Sequence, residues 1–304
     1  MFSTPIRRRV SALIAALVLL LSPVLFAAPY GDTAVVTGDA ADAAGSTSAP
    51  TTGVTVPAAG FPVKIATYNI AHARGKETGG LDEVAKYKFL DGIADLLKQE
   101  KVEVVGFTEI SGGRNLRAKF RDQPQYLAKK LGFHHCYGEN VKKGWFGILA
   151  TQGNVIMSKY PILSWKNHKL YRSDPKHEQR ACVEALLDLG KERRLRVFCA
   201  HLSTQKEEST KQVDELWGLI KNCKEPVILM GDFNLRPTHE AIIKLSKLMK
   251  DTTANLKTSH RGGTNVKIDY HFTLNGITPG LAYNRGEKEG YSDHLCVINQ
   301  YWLK

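Results

Sequence analysis

Seven strand-like runs in this chain each carry, at or beside one end, a polar residue able to hold a metal or a phosphate. That coincidence limits the fold more than any other feature. Val63–Tyr68 ends at Asn69, Val102–Thr108 ends at Glu109, and Val155–Met157 opens from Gly153-Asn154. Leu195–Ala200 ends at His201, Pro226–Met230 leads into Gly231-Asp232-Phe233-Asn234, and Lys267–Tyr270 carries Asp269. Ser292-Asp293-His294 stands just before the last apolar run, Leu295–Leu303. One carboxylate at a strand end is ordinary. Three asparagines, four acids and two histidines at such edges predict a single pocket at the rim of a sheet.

Carboxylate and amide oxygens are hard ligands that suit Mg²⁺, Mn²⁺ or Ca²⁺ better than zinc. No Cys-x-x-Cys pair or His-Glu-x-x-His helix argues for zinc. A hard cation beside imidazoles is what hydrolysis of a phosphate ester requires: the metal neutralises a developing oxyanion, and a His–Asp pair activates water or holds phosphoryl oxygens. The chain has no Gly-x-x-x-x-Gly-Lys-Ser/Thr loop and no Gly-x-Ser-x-Gly elbow. Nucleotide-driven phosphoryl transfer and serine hydrolysis therefore recede, and phosphoester hydrolysis is the reading left.

At these residues the chain resembles the endonuclease/exonuclease/phosphatase superfamily, the deoxyribonuclease I-like hydrolases. The markers run in order: Ala66-Thr67-Tyr68-Asn69, Thr108-Glu109, Gly153–Pro161, Ala200-His201-Leu202, the Gly-Asp-Phe-Asn box, Ile268-Asp269-Tyr270 and Ser292-Asp293-His294. Any one box is weak, whereas their joint occurrence over residues 61–304 is specific. The resemblance implies that Glu109 is the principal metal ligand, with Asn69 and Asp293. It implies that His294 is the catalytic histidine, with Asp269 fixing its tautomer and stabilising its charged form. His201 and Asn234 would bind the non-bridging oxygens of the scissile phosphate, and Asp232 would orient or deprotonate the attacking water. Whether Asp232 or the His294–Asp269 pair is the general base stays open. Asn154 is expected in the pocket wall, and Arg180 is a candidate phosphate clamp because a guanidinium matches phosphate geometry. His72 and His260 qualify for substrate contact only through proximity to Asn69 and Asp269.

Arg7-Arg8-Arg9 followed by apolar Val10–Ala28 reads as a secretory signal over residues 1–28, or as an uncleaved anchor, since 19 residues approach the length of a membrane span. The catalytic domain is therefore expected outside the cytoplasm, secreted or periplasmic. Residues 29–60 are rich in Ala, Thr, Gly and Ser and read as a flexible linker. What remains is enough for one large α/β domain, residues 61–304, and a monomer is expected. Apolar residues spaced as on one helix face mark Leu81–Gln99; Gln123–Leu131, Glu207–Lys221 and Thr238–Met249 read as further helices, the last with Thr238 as N-cap. Together with the strands this fits two packed mixed β-sheets flanked by helices, the four-layer α/β sandwich that the resemblance implies.

Cys182 and Cys199 lie on runs flanking a turn near Gly190-Lys191. Pairing Asp188 with Arg193 would place the two cysteines opposite each other, open to a cross-strand disulfide or to two buried thiols. The formal charge of +12 favours an anionic substrate, nucleic acid first and an anionic or phospholipid membrane surface second. Arg114, Arg117, Lys119 and Arg121 follow Glu109 closely and could track a polynucleotide backbone. An exported nuclease on DNA or RNA is the first expectation and a sphingomyelinase-like phospholipid phosphodiesterase the alternative. For the alternative, Gly144-Trp145-Phe146-Gly147 is the one candidate membrane-insertion loop. A catalytically silent binding module would carry a damaged site, and none of the boxes is damaged.

Overall fold

The computed structural model describes residues 60–75, 85–260 and 266–304. The expected signal, almost all of the linker and the start of the Leu81–Gln99 helix lie outside these residues. The chain alternates β1 (Phe61–Asn69), α1 (Tyr87–Gln99), β2 (Val104–Ile110), α2 (Gln123–Leu131), β3 (His134–Lys143), β4 (Ala150–Ser158), β5 (Ile162–Lys169), β6 (Ala181–Gly190) and β7 (Arg193–His201). It continues through α3 (Lys206–Ile220), β8 (Val227–Asp232), α4 (Glu240–Leu248), β9 (Lys250–Asp251), β10 (Asp269–Leu274), β11 (Ile277–Pro279), β12 (Tyr283–Arg285) and β13 (Cys296–Leu303).

One sheet runs β11-β13-β1-β2-β4-β3, with β12 also on β13; the other runs β5-β6-β7-β8-β10-β9. In each sheet one central pair is parallel, β1 with β2 and β7 with β8. The alternation of side chains explains the layering. Val63, Ile65 and Val104 of one sheet meet Val197, Cys199, Ile228 and Met230 of the other in a core between the sheets. Their sequence neighbours Ala66, Tyr68, Val105 and Phe107 point outward, under Leu90, Ile93 and Leu97 of α1 and Leu127 of α2. Phe198, Ala200, Val227 and Leu229 likewise lie under α3 and α4. Central strands are thus buried on both faces, which is why they read as continuous apolar runs. Between the sheets, a Cβ on Gly106 would lie 2.6 Å from Met230 Cε and 2.9 Å from Cys199 Sγ.

Three local details differ from the sequence reading. The α4 N-cap is His239, whose Nδ1 accepts from Ala241 N at 3.3 Å, instead of Thr238. The first helix begins at Tyr87, after an extended Lys86. The β6–β7 hairpin carries an irregularity between Asp188 and Gly190, so Asp188 pairs with Arg194 and Cys182 faces Ala200 while Val183 faces Cys199. A shift of one residue turns a side chain to the other face. Cys182 therefore belongs to the layer under the helices and Cys199 to the core between the sheets. All five cysteines are free thiols, four of them buried.

Two tests of the fold follow. Denatured without reductant, the protein should release five titratable thiols; a bridge between Cys182 and Cys199 would contradict this register. Buried His271, hydrogen-bonded through Nδ1 to Tyr301 Oη at 2.9 Å, is pushed down to about 3 by burial and by Lys267. The unfolded chain takes up this proton near pH 6.5 while the folded one refuses it, so His271 lowers stability as pH falls from about 6.5 towards 3. Denaturation at pH 4 and pH 7 should show His271→Gln narrowing the gap in stability by about 3 kcal/mol.

Candidate active site

Every residue of the site leaves a strand at the same end of the two sheets. β7 and β8 run parallel with His201 opposite Asp232, and β8 pairs with β10 so that Asp269 is opposite Asp232. The three residues form one row across three strands. On the facing sheet, Asn69 ends β1 beside Thr108, and Glu109 follows on β2.

Backbone irregularity aims these side chains. The β2–β4 register breaks between Phe107 and Ile110, and within this bulge Glu109 takes φ 51°. A bulge re-aims a strand residue, and a left-handed non-glycine persists only where its surroundings hold it. Asn234 also has φ 51°. Between the two sits Gly231 at φ 134°, where a Cβ would lie 2.0 Å from Ala200 O; only glycine lets β8 approach β7 here. Phe233 points the opposite way from its neighbours, buried against Tyr270 and Phe272, with its N–H on Ile268 O at 2.8 Å. That anchor leaves Asp232 and Asn234 on the site side.

Asn69 ties the sheets together. Its Nδ2 donates to Glu109 Oε1 and to Asp232 Oδ2, each at 3.0 Å, while its Oδ1 accepts Ala71 N at 3.0 Å. Because a backbone N–H can only donate, the amide orientation is determined: N–H groups, not the oxygen, face the two acids. His201 Nε2 lies 3.6 Å from Asp232 Oδ2 and 3.9 Å from Glu109 Oε1. His294 Nδ1 is 2.9 Å from Asp269 Oδ2, and its Nε2 faces Asp232 Oδ2 at 3.7 Å. Thr258 Oγ1 accepts from both Ile268 N and Asp269 N, holding that acid in place. Ser292 Oγ donates to Asn69 O at 2.7 Å and accepts His294 N at 3.2 Å, fastening the β13 approach to the end of β1.

Charge follows from this geometry. Burial opposes charge on His294, but the carboxylates of Asp269 and Asp232 outweigh it and raise the imidazole to about 10. Burial raises Asp232 to about 6, against the pull of His294. Burial and the adjacent Arg180 hold His201 well below the usual histidine range, so it is neutral. Burial also opposes ionisation of Glu109, yet the surrounding imidazoles, charged His294 among them, and the Asn69 amide keep it below the usual carboxylate range. The site thus holds one imidazolium, His294, among ionisable acids, beside a neutral His201.

Two sets of ligand atoms lie within 4.8 Å of one another: Glu109–His201–Asp232 and Asp232–Asp269–His294. Asp293 belongs to neither set; its carbonyl accepts His260 N and Ser259 Oγ, and its carboxylate lies 3.3 Å from Ser292 Oγ. Among the described residues no lysine or arginine pairs with Glu109 or Asp232 within ion-pair distance. Two acids sharing one amide, with hard oxygen donors and no lysine or arginine partner, fit a divalent cation.

The expected periphery is here as well. Asn154 is buried on β4, and its Nδ2 donates to Ala181 O at 2.8 Å while its buried Oδ1 has no partner. Asn234 Nδ2 donates to Leu202 O at 3.0 Å, and its N–H to Asp232 Oδ1 at 2.9 Å. Arg180 Nη1 lies 2.9 Å from both ring nitrogens of His201 and 3.2 Å from Glu178, and its buried Nε has no partner.

His72 is closer to the centre than its place in the sequence suggested. It is buried at φ 57°, with Nε2 3.9 Å from Glu109 Oε2, Nδ1 3.0 Å from Ser111 Oγ, and Arg117 Nη1 at 3.1 Å. Arg117 is not free to track a polymer: it is buried beneath this loop, and Arg121 stacks on Tyr87. Proximity to Asn69 is the only sequence signal that could have found His72. His260 instead lies over Asp293, with Nε2 3.6 Å from Glu287.

The family model described as Endonuclease/Exonuclease/phosphatase family matches residues 66–294. No curated protein sequence matches the chain. Among solved structures, an endonuclease/exonuclease/phosphatase from Beutenbergia cavernae is similar at a TM-score of 0.67 and 21% identity, covering 80% of this chain and 72% of that one. The human Nocturnin catalytic domain with bound sulfate is similar at 0.62 and 16%, covering 79% and 93%. A Bacteroides thetaiotaomicron mannosyl-6-phosphatase is similar at 0.60 and 15%, covering 79% and 99%. At these identities the structures share the fold. With most of its length, from the β1 box to His294, matched to the family model, the chain belongs to the Endonuclease/Exonuclease/phosphatase family and is a phosphoester hydrolase.

Proposed function

We propose that the protein is an exported phosphodiesterase that depends on a divalent cation, Mg²⁺ first, with Mn²⁺ or Ca²⁺ as alternatives. The observation that carries this reading is the row His201–Asp232–Asp269, closed by His294 on one side and Glu109 on the other. Export rests on Arg7-Arg8-Arg9 and the apolar stretch behind them. Glu109 is the acid that would hold the cation, which when bound supplies charge neutralisation at a phosphoryl oxygen. In this reading Asn69 acts by bridging Glu109 and Asp232, and Asp293 supports His294 electrostatically.

The protein's own groups divide the remaining work. His294, charged by its two acidic neighbours, donates to a non-bridging oxygen and cannot accept a proton from water. Asp232, raised to about 6, is the better matched acceptor for that proton, and Asn234 N–H on its Oδ1 orients the carboxylate. This favours Asp232 as the general base. His201 is kept neutral and offers one N–H, while Arg180 beside it presents its guanidinium to the same phosphate. Asn154 closes the wall.

For the substrate, the formal charge of +12 supports a polynucleotide and hence a nuclease. A second reading, a phospholipid phosphodiesterase, is favoured by one specific observation: Trp145 and Phe146 protrude from the β3–β4 hairpin, 79% and 85% exposed.

Supercoiled plasmid, single-stranded RNA and sphingomyelin liposomes, assayed side by side with Mg²⁺ or Mn²⁺, separate the readings. Nicking or RNA cleavage that disappears with EDTA and in the Asp232→Ala/His294→Ala double variant is expected for the nuclease. Lipid turnover alone would reverse the order, and silence on all three substrates would sink both. For the proton assignments, Asp269→Asn removes the nearest charge that holds His294 up. Turnover should fall by about 10²–10⁴-fold, and the alkaline limb of the pH–rate profile should move to lower pH. An unmoved limb would show that His294 does not act as a cation.

A further inference from the structure

Six of the eleven large apolar side chains exposed among the described residues fall in two short segments: Leu116 and Phe120, and Trp145, Phe146, Ile148 and Leu149. The segments abut, because Leu116 N donates to Ile148 O at 2.9 Å and Arg117 N to Leu149 O at 3.2 Å. Left-handed backbone at Gly144, Phe146 and Gly147 folds the hairpin tip so that the two aromatic rings, 5.1 Å apart, project together into solvent. Apolar surface concentrated in this way marks an interaction site. We propose that this platform docks the enzyme on an anionic membrane surface.

Three features select lipid over other occupants. Exposed Arg114, Lys119 and Lys143 accompany the apolar tip, whereas the nearby acids Glu139 and Asp122 are occupied, by Lys142 Nζ at 2.9 Å and by Gly113 and Gln125 N–H groups. Basic residues around an aromatic and aliphatic tip complement acidic headgroups over hydrocarbon. Leu116, Ile148 and Leu149 are aliphatic, which suits acyl chains but offers no π-face to a nucleobase. Trp145 and Phe146 stand out from the hairpin, 79% and 85% exposed, which suits insertion into a bilayer. The platform is also coupled to the site: Arg117, whose N–H holds the hairpin, reaches His72 at 3.1 Å, and His72 faces Glu109 at 3.9 Å. Docking would therefore present the Glu109 side of the centre to the bilayer surface.

This inference extends the lipid reading above but fails separately from it. Vesicle binding without lipid hydrolysis would sink that reading alone, and lipid hydrolysis without vesicle binding would sink this one alone. The test uses the full chain in EDTA, sedimented with phosphatidylcholine vesicles with and without phosphatidylglycerol. Trp145→Ala/Phe146→Ala should weaken partitioning onto the anionic vesicles by at least about tenfold, as expected for losing two inserted rings. Its hydrolysis of soluble bis(p-nitrophenyl) phosphate should be unchanged. Both proteins carry the same N-terminus, so the difference reads the hairpin. Trp145→Phe should keep binding but lose the vesicle-induced blue shift of tryptophan fluorescence. Equal partitioning of the double variant and wild type would overturn the proposal. So would loss of oligonucleotide binding or of self-association in the double variant with no effect on vesicles, which would reassign the platform to nucleic acid or to a second copy.

Discussion

Three carboxylates at one rim, buried Asp232 and Asp269 and the partly exposed Glu109, are the constraint on which the site depends. Acids this close repel one another and resist burial, so each needs its own compensation. Asp269 has the His294 imidazolium, Glu109 and Asp232 share the Asn69 amide, and His201 stays neutral between them. None of these compensations is a lysine or arginine bridge, so the acids retain capacity for a cation. A buried ionisable set without such bridges is poor for stability and useful for chemistry.

Holding the set together requires both sheets. Glu109 and Asn69 come from one, and His201, Asp232 and Asp269 from the other. The sheets approach each other at Gly106, and β8 approaches β7 at Gly231, closely enough that a Cβ at either position would collide. Where the path of the strand would aim a side chain wrongly, the backbone departs from it: a bulge at Glu109 and left-handed residues at Asn234 and His72. Such departures are tolerated because dense packing surrounds them, the aromatic cluster behind Phe233 being the clearest instance.

The surface beside the site has a different character. Arg117 and Arg121, which read in sequence as part of a basic loop, are taken up by His72 and Tyr87, and the loop instead contributes Leu116 and Phe120 to an apolar platform. That platform lies a few side chains from Glu109, through Arg117 and His72.

Much of the fold and most of the site were legible in the sequence for a local reason: strands buried on both faces read as unbroken apolar runs, and the functional residues are those at which the runs stop. Asn69, Glu109, His201, Asp232, Asp269 and His294 were found in this way, because proximity to a strand end is written along the chain. What the tertiary structure decided depends on contacts across the chain. One is the orientation of the Asn69 amide, set by Ala71 N and by an acid 163 positions away. Another is the burial of His72 against Glu109. The β6–β7 irregularity, which sends Cys182 and Cys199 to opposite faces, is a third. The protonation states belong here too, since His294 and His201 are the same residue type in similar boxes and differ because Asp269 and Asp232 outweigh burial at one, whereas burial and Arg180 outweigh the nearby acids at the other. Sequence determined which groups arrive at the rim; only the three-dimensional arrangement of charge and burial decided what each one does there.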